Sequence, residues 1–190
     1  MADLFTLSTE EKEWLLKAAR ASIAKTLGVP GVDPGEPPEG IAKLKTGVFV
    51  TLHKRGQLRG CIGMIESRKP LGNLVREIAV SSATSDPRFT PMIGPEIEEA
   101  DIEISVLGPP QKISGVDDIV VGRDGLIVEN GPFRGLLLPQ VAMEWGWDAH
   151  QFLEHTCQKA GLENDAWKSK DTRIYHFQAE VFGEKQLKKE

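Results

Sequence analysis

The chain has 190 residues, 40% hydrophobic and 27% charged, which is ordinary for a soluble globular protein and long enough for one substantial core. Its net charge of -5 argues against nucleic-acid binding, which usually needs a basic surface. Two cysteines without a Cys-x-x-Cys pair indicate neither a disulfide framework nor a structural zinc site. No apolar run is long enough for a membrane span, and no secretory leader is evident at the N-terminus. We therefore expect a cytoplasmic protein with reduced thiols.

The first predicted element is a helix over residues 8–27. Ser8 followed by Glu11 is typical of a capping box, and Gly28 suits the residue just after the end of the helix. The proline- and glycine-rich residues 29–40 predict a loop.

A β-hairpin is predicted next, over residues 47–65, with a glycine-bearing turn between two apolar arms. On the second arm, the period of two predicts one polar and one apolar face. The polar face carries Arg59, Cys61 and Gly63, and the apolar face carries Leu58, Ile62 and Met64. Glycines at 60 and 63, on either side of the thiol, indicate a bulge or the close approach of another backbone or a ligand.

After the hairpin, the pattern predicts a second helix over residues 70–85, which ends before Pro87. A loop over 86–91 comes next, and the alternation of residues 101–107 predicts a strand with one polar face. The later predicted elements are a short strand over 119–121, hairpin arms over 125–129 and 134–138, a helix over 149–160 capped by Asp148, and a last strand over 173–182.

A weak internal repeat relates residues 41–110 to residues 116–184. In each half a Gly-initiated strand is followed by an Arg-Gly pair, Arg59-Gly60 or Arg134-Gly135, and then by a helix and a strand. Two related β-β-α-β units predict an α+β fold with a mostly antiparallel sheet.

Several blocks of the sequence resemble the AMMECR family, whose bacterial and archaeal members are called the A protein of the AmmeMemoRadiSam system. The resemblance covers nearly the whole chain, so a single AMMECR-type domain is expected over residues 1–190. The matching blocks are Leu58 to Gly63, Gly47 to Leu52, Asp86 to Phe89, Leu138 to Ala142 and Cys157 to Leu162.

The resemblance implies two related units around a single barrel-like sheet. It does not imply a reaction, because the family's biochemical activity is not established. The name of the system implies a radical S-adenosylmethionine enzyme and a Memo-like protein as pathway partners. It supplies no catalytic residue.

Cys61 is the first candidate catalytic residue, as a nucleophile or a redox thiol. Arg59 on the same face would then favour the thiolate, because a nearby positive charge lowers the pKa of a cysteine. The alternative is a small, buried strand residue, which is the commonest fate of a free cysteine.

Arg59 itself has two interpretations. Its planar fork suits a carboxylate or phosphate ligand, or it braces the fold by pairing with Asp86, Glu103 or Glu144. The loop from Asp86 to Phe89 also has two interpretations. It either completes a binding site above the hairpin or is a rigid turn. In the rigid turn Asp86 would bond nearby amides, Arg88 would tie the loop to the sheet, and Phe89 would fill the core.

Gln140 and Glu144 lie four residues apart and would share one face of a helix. The neighbouring Trp145 and Trp147 are expected to fill a core or an interdomain space, whereas an exposed pair would be a good partner-binding anchor. The candidate ligand- or partner-binding residues are thus Gly60, Gly63, Asp86, Arg88, Phe89, Glu103, Gln140 and Glu144.

Neither a cofactor nor a metal is expected. Gly-rich phosphate loops are absent from the sequence, and His150 with Glu154 makes only two potential metal ligands. Three functions remain open. The first is an accessory or binding protein that presents the hairpin and the Asp86–Arg88 loop to a partner protein or a small acidic ligand. The second is an enzyme of the same pathway that uses Cys61 and Arg59, and the third and weakest is nucleic-acid binding.

Overall fold

The computed structural model describes residues 6–187. Residues 1–5 and 188–190 lie outside that range. The prediction about a secretory leader concerns mostly residues 1–5, so it falls outside the described residues. The chain divides into two compact units. Unit 1 comprises residues 1–106 and 180–190, and unit 2 comprises residues 107–179.

Unit 1 is built mainly from the N-terminal half of the chain. Its elements are α1 (Thr9–Leu27), α2 (Glu39–Lys43), β1 (Val48–Lys54), β2 (Gln57–Met64), α3 (Leu71–Thr84), a 3-10 turn (Gly94–Glu99), β3 (Ala100–Leu107) and α6 (Glu184–Leu187). A last strand, β7 (Arg173–Gly183), runs from unit 2 into unit 1.

The predicted capping of α1 is confirmed. The Ser8 hydroxyl accepts a hydrogen bond from the Glu11 N–H at 3.2 Å, and the Glu11 carboxylate accepts one from the Ser8 N–H at 2.8 Å. Gly28 follows the helix with a φ of 69°, a left-handed conformation that glycine adopts at little cost. The predicted loop 29–40 is longer than the observed one, because α2 begins at Glu39.

In unit 1, β1 lies between β2 and β3 and pairs antiparallel with both. One face of these strands packs against α3, so the apolar side chains of that face enter the core of the unit. The helices also contribute side chains to this core. Its largest fully buried side chains include Leu15, Ile23, Ile41, Leu52, Leu71, Leu74, Ile102 and Ile104.

The β1–β2 register corrects the predicted faces of the second arm. Leu52 pairs with Gly60 and His53 pairs with Leu58, so Arg59 is the extra residue of a β-bulge. The bulge interrupts the period of two, because two residues of β2 there oppose one of β1. Leu58 therefore shares the face of Thr51, and the predicted apolar face is wrong at that end, whereas Met64 keeps the predicted face as the partner of Val48. Leu58 and Met64 are 40% and 46% exposed.

Unit 2 repeats the hairpin, helix and strand order. Its elements are β4 (Gln111–Ile113), a 3-10 turn (Val116–Asp118), β5 (Asp124–Asn130), β6 (Phe133–Leu137), α4 (Pro139–Trp145), α5 (Ala149–Lys159), a 3-10 turn (Ala166–Lys168) and the first part of β7. β5 pairs antiparallel with β6 and β7, and β4 pairs with β7. Its core includes Leu126, Val128, Phe152, Leu153, Cys157 and Ile174.

The predicted strand over 119–121 is wrong. The backbone turns there instead, because the N–H groups of Arg123 and Asp124 both donate to the carbonyl of Val120. The predicted helix 149–160 is confirmed as α5, and its predicted cap is confirmed too, since Asp148 accepts the Gln151 N–H at 2.8 Å.

The predicted fold class is confirmed as α+β, with antiparallel strands and a hairpin, helix and strand order in each unit. The assignment of the repeat to residues 41–110 and 116–184 stays a prediction. Among residues 6–187, no helix combines the length and the apolar character that crossing a membrane requires.

Candidate functional site

The candidate site of unit 1 is built on the face of β1, β2 and β3 that points away from α3. Thr51 of β1 is the register partner of both Cys61 on β2 and Glu103 on β3, so these three residues form a row. The Thr51 hydroxyl donates to the Cys61 sulfur at 3.3 Å. Ser105, two residues along β3, is 1% exposed, and its hydroxyl has no hydrogen-bond partner among the described residues.

The Cys61 thiol is half-buried, and burial raises its pKa above the ordinary value. The hydrogen bond from Thr51 and the charge of Arg88 act in the opposite direction but do not outweigh burial. The prediction that Arg59 would favour the thiolate is therefore wrong. At neutral pH the thiol stays largely protonated, which is the less nucleophilic form.

Arg59 braces the fold through a residue that was not among its predicted partners. Its Nε and Nη2 donate to the two carboxylate oxygens of Glu96 at 3.1 and 3.0 Å. The Arg59 side chain is only 13% exposed. The predicted partners Asp86, Glu103 and Glu144 are thus wrong, because the Gly94–Glu99 turn brings Glu96 to the guanidinium.

The pKa of Glu96 falls to about 2, chiefly because of the hydrogen bonds from Arg59. The Ile93 N–H and Lys54 also donate to this carboxylate, both at 3.1 Å. A charged carboxylate that accepts hydrogen bonds from two cations and an amide has a structural role within the unit. Arg59 therefore does not present its fork to a ligand.

Asp86 and Arg88 cap the free edge of β2. β2 pairs with β1 and lies at the end of the strand order, so one of its edges is open. The Cys61 N–H donates to the Asp86 carboxylate at 2.8 Å, and Arg88 donates to the Cys61 carbonyl at 3.3 Å. These are the contacts that the rigid-turn interpretation of the loop expected from Asp86 and Arg88.

Asp86 and Arg88 also pair with each other. The Arg88 Nε and Nη2 reach the two Asp86 oxygens at 3.0 and 2.7 Å. Asp86 is buried and Arg88 is 55% exposed. The guanidinium holds the pKa of Asp86 far below its usual range, with further help from the Cys61 and Arg88 amides.

Phe89 does not fill the core, contrary to the rigid-turn interpretation. It is half-buried, and the guanidinium carbons of Arg59 and Arg88 lie 6.0 and 5.4 Å from its ring centroid. This ring therefore lies within cation–π distance of both arginines.

Gly60 makes room for α3. A Cβ at Gly60 would lie 2.2 Å from the carbonyl oxygen of Ser82. The Ser82 hydroxyl enters the β1–β2 ladder, where it donates to the Val50 carbonyl at 2.8 Å and accepts from the Ile62 N–H at 3.0 Å. The approaching backbone that the sequence predicts at this glycine is thus the end of the next helix.

Gly63 makes room for a ring. A Cβ there would lie 2.2 Å from the ring of Phe49, which is its register partner on β1. Both glycines therefore accommodate close contacts within unit 1.

Gln140 and Glu144 belong to unit 2, where both lie on the short helix α4. Glu144 is exposed, and the Gln140 Oε1 is buried without a hydrogen-bond partner among the described residues. The expectation that both neighbouring tryptophans fill space is wrong for Trp145, which is 70% exposed. Trp147 is half-buried.

Sequence reasoning missed Thr51, Ser82 and Glu96. Thr51 is the single hydroxyl of the apolar run 48–52, a pattern that signals a hydrogen bond to a neighbouring element. Ser82 does not stand out in this way, because Ser81, Thr84 and Ser85 lie beside it. Glu96 gives no such signal, because it is one of several glutamates in its segment. Within residues 6–187, no three His, Cys, Asp or Glu side chains lie close enough together to hold a metal ion.

Comparisons with known proteins extend over nearly the whole chain. A family model described as AMMECR1 matches residues 16–182. A protein from Methanothermobacter thermautotrophicus is 49% identical, over 94% of this chain and 96% of that protein. One from Methanopyrus kandleri is 48% identical, over 95% and 91%. The crystal structure of an uncharacterized protein from Pyrococcus horikoshii is similar with a TM-score of 0.87 at 43% identity, covering 95% of this chain and 94% of that one.

Proposed function

Because the chain belongs to the AMMECR1 family, we propose that it is an accessory, binding component rather than an enzyme. In this proposal it acts in the cytoplasm with a radical S-adenosylmethionine enzyme and a Memo-like protein, in a modification pathway. One observation carries the proposal. The charged side chains at β2, namely Arg59 and the capping Asp86 and Arg88, are paired within the chain, whereas the large apolar side chains Leu58 and Met64 of this strand are exposed.

The state of Cys61 supports binding over catalysis. A nucleophilic cysteine needs thiolate character and access, and burial raises the pKa of this thiol. Arg59, which would have stabilised a thiolate, is engaged by Glu96. The two residues that would form a catalytic pair are therefore committed to separate structural contacts.

The capped edge of β2 restricts how a partner would bind. Strand addition needs free backbone groups on the edge strand, and Asp86 and Arg88 already occupy those of Cys61. We therefore expect a partner to contact exposed side chains, namely Arg88 of the cap and Leu58 and Met64 of β2. A small acidic ligand would have to compete with Asp86 for the Arg88 guanidinium, so a protein partner is better supported.

The first test measures binding to the radical S-adenosylmethionine and Memo-like proteins encoded in the same genome, each purified, by calorimetry. The double variant Leu58→Asp with Met64→Asp is expected to bind one of them at least about 10-fold more weakly, a loss of about 1.4 kcal/mol. Phe133→Asp is the matched control, because Phe133 is also exposed but lies at the β5–β6 turn.

Equal binding by the double variant and the wild-type protein would overturn the proposed surface. No binding of the wild-type protein to either partner at about 100 µM would overturn the partners. Unfolding curves of all the variants establish that any loss of binding is not a loss of fold.

The second test measures the reactivity of Cys61 with a small thiol reagent in the Cys157→Ser background. Because burial raises the pKa of the thiol, native Cys61 is expected to react more slowly at neutral pH than a cysteine in an unstructured peptide. Fast labelling with an acid-shifted pH profile would contradict the proposal and favour the enzyme with Cys61 as its nucleophile. The Cys61→Ser variant reports the background from buried Cys157.

A further inference from the structure

Unit 2 exposes an aromatic surface that has no role in the proposed function. This tryptophan patch consists of Met143, Trp145 and Trp147, with His155 stacked beneath Trp147. Met143 and Trp145 are 63% and 70% exposed. The rings of Trp145 and Trp147 stack with centroids 6.0 Å apart, and those of Trp147 and His155 with centroids 3.8 Å apart. Tryptophan is highly buried on average, so an exposed, ordered stack of this kind is typical of a binding anchor.

The stack is held in place by the ends of two helices. Gly146, with a φ of 66°, ends α4, and the Trp147 N–H donates to the Ala142 carbonyl at 2.9 Å. Asp148 begins α5 with a reciprocal capping box. The two indoles thus project from a short turn whose backbone is held by hydrogen bonds at both ends, so that little backbone entropy remains to be lost on binding.

Carboxylates outnumber cations on the segments around the patch. The segments 116–118 and 139–151 contain no lysine or arginine, and the 116–118 turn packs against α5. The carboxylates of these segments are all exposed, namely Asp117, Asp118, Glu144 and Asp148. The nearby Arg123 adds little positive charge, because both oxygens of buried Asp124 accept its hydrogen bonds at 2.7 Å. The 166–168 turn, which also packs against α5, brings one lysine, and the ammonium group of this Lys168 lies over the Trp167 ring.

We propose that the tryptophan patch binds a protein segment in which lysine or arginine side chains flank apolar ones. The apolar side chains cover Met143 and Trp145, a guanidinium or ammonium group stacks on the open indole face, and its neighbours pair with the surrounding carboxylates. The same carboxylates repel nucleic acid and anionic lipid. The proposal does not rest on the partner surface of unit 1.

The test uses a synthetic amphipathic peptide of leucine and lysine, about 18 residues long so that it can form a helix. A peptide with glutamate in place of lysine is its charge-reversed control. Binding of each peptide to the full-length protein is followed by fluorescence anisotropy of a label on the peptide. We expect the lysine peptide to bind at least about 10-fold more tightly than the glutamate peptide, with an affinity that falls as salt is added.

Two variants and one control tie the binding to the patch. Trp145→Ala and Glu144→Lys are each expected to lower the affinity for the lysine peptide by about 10-fold. Phe133→Ala removes another exposed aromatic ring and is expected to leave the affinity unchanged. All three positions are exposed, so the unfolding midpoints should match that of the wild-type protein.

Several outcomes would overturn the proposal. They are equal affinity for the two peptides, an equal loss in Phe133→Ala and Trp145→Ala, or unchanged affinity in Trp145→Ala. A wild-type dimer in sedimentation that Trp145→Ala dissociates, without peptide binding, would assign the patch to a second copy of this chain instead.

Discussion

The two hairpins of this protein each pack closely against a helix, and a glycine makes that contact possible in both. Each carries an Arg-Gly pair on its second strand, and each glycine meets the backbone at the end of a following helix. A Cβ at Gly60 would lie 2.2 Å from the Ser82 carbonyl oxygen, and a Cβ at Gly135 would lie 2.3 Å from the Ala160 nitrogen. Close contact between helix and strand therefore explains why the same dipeptide occurs in both units.

The hairpins differ in the residue after that glycine. In unit 1 it is half-buried Cys61, which Thr51, Asp86 and Arg88 contact. In unit 2 it is Leu136, which is buried. The feature shared by the hairpins is packing, and the polar groups that unit 1 adds are the candidate site. The glycine of the Arg-Gly pair is therefore a packing feature that both units share. The polar residues around it distinguish unit 1, which carries the candidate site.

Substitution of the two glycines is expected to have the largest effect. Gly60→Ala and Gly135→Ala each push a methyl group into backbone, which has less freedom to move than a side chain. Each should lower the free energy of unfolding by about 3 kcal/mol, measured by urea denaturation. Gly115→Ala is the control, because a Cβ there has no heavy atom within 4 Å.

A loss below about 1 kcal/mol at either glycine would break the comparison, since that glycine would then not be required for packing. A large loss at Gly60 alone would restrict the packing argument to unit 1.

The next effect concerns the arginines, which the two hairpins use differently. Glu96→Gln removes the bidentate partner of Arg59 and should cost about 2 kcal/mol at pH 7, because it leaves a mostly buried guanidinium without its counter-charge. In unit 2, Glu129→Gln removes the cross-strand partner of Arg134, which lies 2.9 Å away and is more exposed. We expect that substitution to cost at most about 1 kcal/mol.

The pH dependence of unfolding tests the same pair. The pKa of Glu96 is lowered from its ordinary 4.5 to about 2 in the folded chain, so its stabilisation is complete above pH 4.5 and is lost as the pH falls through 2. The difference in stability between the wild-type protein and Glu96→Gln should therefore shrink across this window. A difference independent of pH would show that Glu96 acts through packing and not through its charge.

The smallest expected effect is on the Cys61 thiol, whose place after the Arg-Gly pair is taken by Leu136 in unit 2. Thr51→Val keeps the side-chain shape but removes the hydroxyl that donates to the Cys61 sulfur. Because that hydrogen bond lowers the pKa of the thiol, its loss should raise the pKa further. A titration of thiolate absorbance in the Cys157→Ser background measures the shift. A fall in the pKa would mean that Thr51 does not act as a donor to the sulfur.

Local sequence was sufficient for the elements whose interactions lie within a few residues. The capping boxes of Ser8 with Glu11 and of Asp148 with Gln151 each span three residues, so they are readable from spacing alone. The hairpins and the α+β class were predictable for a similar reason, because turn glycines and apolar periodicity act over short distances. Family resemblance agreed with the two related units of the internal repeat and added the expectation of a single barrel-like sheet.

Only the tertiary structure decided which candidate side chains are paired within the chain and which are exposed. Arg59 finds its partner 37 residues away in Glu96, and the cap on Cys61 comes from Asp86, 25 residues away. Spacing does not encode such contacts, because they depend on where whole elements pack. The exposure of Trp145 has the same origin. The sequence by itself determined the elements and the fold class, and long-range packing decided the burial, pairing and protonation of the candidate residues.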